Sequence, residues 1–301
     1  MSKTVLIDGN SLGYAAHHAT KLVSGEMQTQ AVFGFVKAMQ AIRYEYPNHT
    51  PICLWDGKAQ WRFDLHPEYK SNRTSDPKKL KDRNAYAAQR PYIQKALQHL
   101  AVRQVTASGA EADDLAGVYV SALTAKPGNE VVLMSGDGDW IQLVRPGVTW
   151  RDRRNDDKVI TLDNLMDKTG YATPYAFLQG KALMGDSSDV ISGVGGIGKD
   201  GAPLFMAEFG SVREFWMRCD SGDFKPTKKS HINLCSANGR MLFGRNLRLM
   251  QLLRVSPLPR ETINIDHGNF DEELFRELCE DLAFGSILKN FNHTINHFKP
   301  K

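Results

Sequence analysis

The chain has 301 residues, 24% of them charged and 42% hydrophobic, with a formal net charge of +4. That length buries a sizeable core in one large or two smaller domains, and the composition is that of an ordinary globular protein. No apolar run approaches the roughly 20 residues of a bilayer span, which excludes a membrane-spanning helix.

In chain order, MSKTVLIDGN carries a basic residue and a short apolar run interrupted by Asp8, so it reads as a first strand and not as a signal peptide. The stretch 30–46 has apolar residues at Val32, Phe35, Val36, Met39 and Ile42, the spacing of a helix with one buried face. PICLWD is an apolar strand ending at Asp56. The polar segment 66–90 has few large aliphatics and is expected to stay outside the core, and a helix is expected from Pro91 to Leu100. VRQVTAS, EVVLM, GVTWRDRR and KVITL read as further strands, and a helix opens after Gly109. The βαβαβ order with apolar strands predicts an α/β fold with a mostly parallel central sheet, whose sites lie beyond the carboxyl ends of the strands.

After about residue 165 the pattern turns helical, with helices expected over 175–189, 203–217, 239–253 and 271–284. The stretch 224–231, FKPTKKSH, reads as an exposed basic loop. A soft boundary near 190 divides an α/β core (1–190, with a basic insert about 66–90) from a helical region (191–301) holding a glycine hairpin at 193–202. Cys53, Cys219, Cys235 and Cys279 form no CxxC pair, which predicts a reducing, cytoplasmic setting without a disulfide scaffold.

Nine carboxylates stand where apolar runs stop or helices begin: Asp8, Asp56, Glu111, Asp113, Asp114, Asp137, Asp139, Asp186 and Asp189. Singly, Asp8 and Asp56 could cap the next turn, and the acids at 111–114 could meet a helix dipole. Together they repel unless cations sit among them. Divalent metal is the economical answer, and a phosphodiester is the usual client of a carboxylate-bound metal pair. Glu111 and Asp114 share a helix face with Asp113 aside, and Asp186 and Asp189 stand one helical turn apart. The SGDGDW stretch has acid–any–acid spacing but lacks the twelfth-position Glu of an EF-hand.

From Lys70 to Arg90 there are seven basic residues (Lys70, Arg73, Lys78, Lys79, Lys81, Arg83 and Arg90) against Asp76 and Asp82. Interleaved with Tyr69 and Tyr86, such a run can neutralise phosphates and stack bases, or it can be a solvated loop. The glycines at 193–198 follow a helix and not a strand, so they are no dinucleotide fingerprint. They make either a tight helix–helix turn or a backbone cradle for a DNA phosphate. His293 and His297 have metal-pair spacing but no third ligand nearby, and read as an exposed terminus, as do His17 and His18.

The motifs LIDGNSL, LWDGK with Arg62, HPEYKSNR, GAEADDLAG, SGDGDW, GKALMGDSSD and GVGGIG occur in order between residues 4 and 210. In these the chain resembles the structure-specific 5′ nucleases: phage 5′–3′ exonucleases, the 5′-nuclease domain of bacterial DNA polymerase I, and flap endonucleases. The resemblance implies a PIN-like core with a helical arch insert and a helix–hairpin–helix. It implies a first metal site of Asp8, Asp56, Glu111, Asp113, Asp114 and Asp137, and a second of Asp139, Asp186 and Asp189, with Asp137 between them. Lys70 and Arg73 would contact the scissile phosphate with Tyr69 in support. Lys78, Lys79, Lys81, Arg83, Arg90 and Lys181 would meet nucleic acid. Gly193, Gly196, Gly198 and Lys199 would grip duplex phosphates, with a K⁺ ion. The family hairpin carries Lys where this chain has Asp200, with Lys199 one place earlier.

The implied reaction is two-Mg²⁺ hydrolysis of DNA near 5′ ends, with Mn²⁺ able to substitute, serving flap or primer removal in replication or DNA degradation. The implied protein is a cytoplasmic monomer acting on 5′ flaps, 5′ ends and RNA primers. The alternatives are a single-strand endoribonuclease and a non-catalytic DNA-structure binder. The first leaves the basic insert and glycine hairpin unexplained, and the second leaves the second acidic trio without a purpose.

Overall fold

Apolar runs that stop at an acid become the centre of the sheet. The computed structural model describes residues 1–154, 158–252 and 258–299, apart from the side chains of Thr74 and Ser75. β1 (Lys3–Asp8) leads into α1 (Gly9–Ala19), the short strands β2 (Val23–Ser24) and β3 (Met27–Gln28), and α2 (Gln30–Glu45). β4 (Thr50–Leu54) runs through α3 (Gln60–Leu65) and α4 (Asn72–Ser75) into α5 (Pro77–His99). There follow β5 (Arg103–Ala107), α6 (Ala112–Thr124), β6 (Glu130–Met134), a 3-10 helix Gly138–Leu143, β7 (Val148–Asp152) and β8 (Lys158–Ile160). The remainder holds α7 (Leu165–Thr169), α8 (Pro174–Met184), β9 (Gly185–Asp186), β10 (Ile191–Ser192), α9 (Gly201–Phe209), α10 (Val212–Ser221), α11 (Lys229–Cys235) and α12 (Ala237–Met250). It ends with β11 (Ile263–Asp266), α13 (Glu272–Asp281), α14 (Gly285–Lys289) and α15 (Phe291–Asn296).

The main sheet has seven strands in the order β11-β5-β4-β1-β6-β7-β8. Its central strands, β5 through β7, are parallel, and β11 and β8 close the two edges antiparallel. The chain leaves β1 toward β4 and returns to β6 on the other side. The sheet therefore has a topological switch point at β1 and β6, where α/β folds build sites. Successive β1 residues face opposite layers. Val5 and Ile7 pack with Phe35, Met39 and Trp55, while Leu6 packs with Leu54, Leu133 and Trp140. A third cluster, around Leu183, Phe205, Phe215 and Leu234, includes Tyr69.

The expected α/β class with a mostly parallel sheet is what the chain adopts, and several local expectations are corrected. The helix expected from Pro91 starts at Pro77, because Asp76 caps it by accepting from the Lys78 and Lys79 amides and Pro77 suits the first turn. Pro91 is accommodated inside it. Segment 66–90 does reach the core, through the buried Tyr69, Tyr86 and Gln89. α8 stops at Met184, where Gly185 takes φ +77°, so Asp186 lies on a short strand and Asp189 in the turn after it, not one helical turn apart. The glycine hairpin accordingly follows β10. The helix expected over 203–217 is two, broken at Gly210 with φ +71°. The stretch 224–231 already enters α11 at Lys229, and Leu253, expected at the end of a helix, lies outside the described residues.

The boundary near 190 does not separate two cores. β11 pairs with β5, and Phe275, Phe284, Ile295 and Phe298 share a cluster with Val5 and Phe35. The terminus around His293 and His297 is thus packed through its apolar residues, with the two rings 5.1 Å apart. Among the described residues no helix is long and apolar enough to cross a membrane.

Candidate active site

The carboxyl ends of β1, β4 and β6 open onto one cavity of 1010 Å³. Asp8, Asp56, Asp113 and Asp137 line it, and so do Lys70, Arg73, Lys79, Arg83 and Arg90, with Asp82 and Arg154 also at the cavity. Each acid is held by local geometry. Asp8 caps α1, accepting from the Ser11 amide at 2.9 Å and from Ser135 Oγ at 2.7 Å. Asp56 accepts from the Ala112 amide at 2.9 Å. Asp113 accepts from Trp140 Nε1 at 2.6 Å, and Asp137 accepts from the Asp139 amide at 2.8 Å.

These acids strain against ionisation. Burial, with the charge of Asp56 beside it, pushes the Asp8 carboxyl up to about 6 against the Ser11 and Ser135 hydrogen bonds. Burial and the charges of Asp137, Asp8 and Asp56 raise Asp113 well above the carboxylate range. Asp137, whose side chain opens to the cavity, is pushed up to about 7 by its recessed surroundings and by Asp139. Among the described residues no three His, Cys, Asp or Glu side chains are gathered closely enough to hold an ion as they stand. The donor set is nonetheless hard oxygen only, and its charge surplus is the kind a divalent cation relieves.

The helix opening at Glu111 sorts its acids differently from the sequence expectation. Asp113, expected to point aside, faces the cavity, and Asp114 does not line it. Both Asp114 oxygens accept from Arg62, at 2.7 and 2.8 Å, and Asp114 also accepts from the Glu111 amide at 3.0 Å. Arg62 donates in addition to the Leu249 carbonyl at 3.2 Å and lies 3.3 Å from Glu111. Burial, which disfavours the Arg62 charge, is outweighed by the Asp114 carboxylate, and the guanidinium is held above its ordinary range. Glu111 accepts from Tyr69 OH at 3.0 Å and from Lys70 Nζ at 2.7 Å. Glu111 and Asp114 therefore form a buried network that fixes Tyr69 and Lys70.

Lys70 takes φ +56°, a left-handed conformation costly for a residue with a Cβ, and such outliers persist where the surroundings impose them. Here the Lys70 amide donates to the Asp189 carbonyl at 3.1 Å, Asn72 Nδ2 to the Ser187 and Ser188 carbonyls, and His66 Nε2 meets the Val190 carbonyl at 2.8 Å. The segment before α5 is thus zipped to the loop carrying Asp186 and Asp189.

That loop and Asp139 form a second acidic group flanking the cavity. Lys181 pairs with Asp139 and sits 3.4 Å from Asp186. Arg73 pairs with Asp189 at 2.7 Å, with Lys70 at 3.9 Å. Burial would raise Asp186, but the Ser188 hydrogen bonds and the Lys181 charge win and hold it low. Burial opposes the Lys181 charge in turn, and Asp139 and Asp186 outweigh it, so the ammonium stays above its ordinary range.

Of the basic run, Lys79, Arg83 and Arg90 reach the cavity, whereas Lys78 and Lys81 are exposed away from it. Tyr69 and Tyr86 are 3% and 4% exposed, so neither offers a ring face for stacking. In the glycine hairpin Val194 and Ile197 are buried, while Gly193, Gly196, Gly198, Lys199 and Asp200 stay exposed at the start of α9. Ser11, Ser135, Trp140 and Arg154 also belong to the site or its support and were missed from sequence. Their one signal is adjacency to the acidic motifs, which Ser11, Ser135 and Trp140 have.

The sequence profile of the 5'-3' exonuclease N-terminal resolvase-like domain matches residues 3–170. DNA polymerase I of Bacillus subtilis is 30% identical over 293 residues, covering 95% of this chain and 32% of the polymerase. DNA polymerase I of Mycobacterium tuberculosis is 30% identical over 291 residues, covering 93% and 30%. The chain spans about a third of the length of these relatives. Among solved structures, T5 5'-exonuclease with bound zinc superposes with a TM-score of 0.70 at 24% identity, over 98% of this chain and 99% of that one. The bacteriophage T5 flap endonuclease in a pseudo-enzyme-product complex with DNA and metal ions gives 0.69 at 23% identity, over 98% of each chain. At these identities the structural likeness is one of fold. The profile match covers more than half of the chain, and the chain belongs to the 5'-3' exonuclease family.

Proposed function

We propose that this protein hydrolyses DNA phosphodiesters near 5′ ends, as a 5′–3′ exonuclease and flap endonuclease. The observation that carries this reading is one cavity lined both by acids (Asp8, Asp56, Asp113, Asp137) and by bases (Lys70, Arg73, Lys79, Arg83, Arg90). A polyanion needs the basic residues to enter, and the cations that offset the acidic ones are the kind that cleave phosphodiesters.

Asp8, Asp56, Asp113 and Asp137, with Asp139, Asp186 and Asp189, would hold Mg²⁺, or Mn²⁺ in its place, which would activate a water and neutralise charge on the phosphate. Asp137 belongs to both groups in this reading, since both Asp139 and Asp8 bear on its ionisation. Glu111 and Asp114 are positioning residues: through Arg62 and Tyr69 they hold Lys70 at the cavity. Lys70 and Arg73 then stabilise charge on the transferring phosphoryl group. Lys79, Arg83 and Arg90 on α5, with Lys78 and Lys81 beyond, guide the 5′ strand in the manner of an arch.

The glycine hairpin, presented by Val194 and Ile197, offers backbone amides to duplex phosphates with a K⁺ ion, and Lys199 adds a charge beside it. Residues 191–252 and α5 form the DNA-binding part around the α/β core. Primer or flap removal in replication is the role this chemistry suits, with the protein acting as a cytosolic monomer. The test is a 5′-labelled flap, a nicked duplex and an RNA-primed duplex, each with Mg²⁺ and with EDTA. Short 5′ products in Mg²⁺ only are expected, and cleavage unaffected by EDTA contradicts the reading.

A further inference from the structure

His17, expected from the sequence to be exposed, is 5% exposed and joins three helices. Gln89 of α5 fixes its tautomer. The Gln89 Oε1 accepts from the Ala31 amide of α2 at 2.8 Å, and a backbone N–H can only donate, so the Gln89 amide nitrogen is the atom turned to the ring. That nitrogen lies 3.1 Å from His17 Nδ1, and the Gln30 amide nitrogen lies 3.3 Å from the same atom. Nδ1 therefore accepts, and the ring proton stands on Nε2. Nε2 is 3.2 Å from Asp82 Oδ1, so the ring donates to that carboxylate. His18 Nε2 lies 3.4 Å from the other oxygen.

Asp82 lines the cavity, with Lys79 and Arg83 beside it on α5. The helix carries two adjacent faces. Asp82, Tyr86 and Gln89, at i, i+4 and i+7, turn to α1, and Lys79, Arg83 and Arg90 turn to the cavity. Residues 77–81 are exposed, and among the described residues Asp82 is the first α5 side chain to hydrogen-bond α1. The buried contacts of Tyr86 and Gln89 come one and two turns later. The direction in which the first turns of α5 point Lys79 and Arg83 thus depends on the Asp82 contact. A carboxylate is otherwise out of place here, since it repels the phosphate that its neighbours attract.

We infer that Asp82 is a positioning residue: its carboxylate, held by the Nε2–H of His17, docks the start of α5 on α1 and aims Lys79 and Arg83 at the 5′ strand. This rests on the proposed function for the class of substrate. The anchor acts through geometry, whereas its charge alone would act in the opposite direction and weaken binding.

The test compares Asp82→Asn with Asp82→Ala. Both remove the charge, but the Asn Oδ1 still accepts from His17 and Ala has nothing to accept with. Alanine is the better helix former, so a loss confined to Asp82→Ala is not a loss of helix. Affinity for a 5′-flap duplex in EDTA is expected at or above wild type for Asp82→Asn, and about fivefold or more weaker for Asp82→Ala than for Asp82→Asn. In Mg²⁺ the same factor is expected in KM with kcat little changed, whereas a misfolded fraction would lower kcat and leave KM. On a background of Lys79→Ala with Arg83→Ala the two variants are expected to bind alike, because the groups that the anchor aims are gone. Binding by Asp82→Ala as tight as by Asp82→Asn overturns the inference. A gap between them that persists undiminished on that background overturns it too, and so does a fall in kcat with KM unchanged. Failure of the wild type to cleave strikes the proposed function alone, since the binding comparison in EDTA still decides the role of Asp82.

Discussion

Arg62 grips Asp114 through two parallel hydrogen bonds of 2.7 and 2.8 Å, with side chains only 2% and 1% exposed. Breaking a buried pair leaves an uncompensated charge, at a cost of about 3–5 kcal/mol. Asp113, one residue earlier, has no such partner among the described residues and faces the cavity. Asp114→Asn is therefore expected to lose about 3 kcal/mol in urea unfolding. Asp113→Asn is expected to keep or gain stability and to lose cleavage. Equal stability losses in the two variants would contradict this division of labour.

Glu111→Gln separates positioning from metal binding. Its carboxylate holds Lys70 Nζ at 2.7 Å and lies at the end of the Arg62 network. The variant is expected to lower kcat about tenfold by loosening one cation at the phosphate, with the Mg²⁺ concentration for half-maximal rate unchanged. A large rise in that concentration with kcat unaltered would instead make Glu111 a ligand.

Part of this was legible in the sequence for a physical reason. A buried parallel strand reads as an unbroken apolar run, and its end is where polarity returns, so Asp8, Asp56 and Asp137 could be set on one sheet edge before any coordinates. The sorting of Asp113 from Asp114 was not legible, because it depends on Arg62, some fifty residues away in sequence with α4, α5 and β5 between. α1 was missed because GNSLGYAAHHA has little apolar periodicity; its glycines serve close approach to neighbours such as Tyr86. β11 was missed because its pairing with β5 is long-range and half-exposed. The helical start at Pro77 was hidden by charge, since among residues 77–90 only Tyr86 and Gln89 are buried.

The raised carboxyls make a signed prediction for the metal-free protein. Asp8 moves from an ordinary 3.8 to about 6, so the folded state holds its proton more tightly than the unfolded state does. Stability from this group is highest below about 4 and falls as pH rises to about 6 and beyond. Asp113 acts in the same direction, and Asp137 does so more weakly because the cavity solvates it. His49, His99, His231 and His297 are shifted down by burial and act in the opposite sense, so the prediction concerns a difference. In EDTA, Asp8→Asn is expected to melt above wild type by more at pH 8 than at pH 4.5. Mg²⁺ is expected to shrink the gap at pH 8, and a pH-independent gap would contradict the shift.

Lys181 stands between Asp139 and Asp186 as the positive charge that pair now has. A divalent ion must share or take that place. Lys181→Met is expected to bind Mn²⁺ about tenfold more tightly by calorimetry, equivalent to about 1.4 kcal/mol. Weaker binding would show that Lys181 assembles the acidic group and does not compete for it.

Cleavage is assigned to the acidic residues at the cavity and binding to the basic ones. Asp137→Asn tests this most directly, since Asp137 lines the cavity and both Asp139 and Asp8 bear on its ionisation. The measurement is release of 5′ products from a labelled flap in Mg²⁺, alongside the affinity for the same flap in EDTA. Cleavage is expected to be abolished while binding is retained. Full cleavage by Asp137→Asn in Mg²⁺ would contradict it.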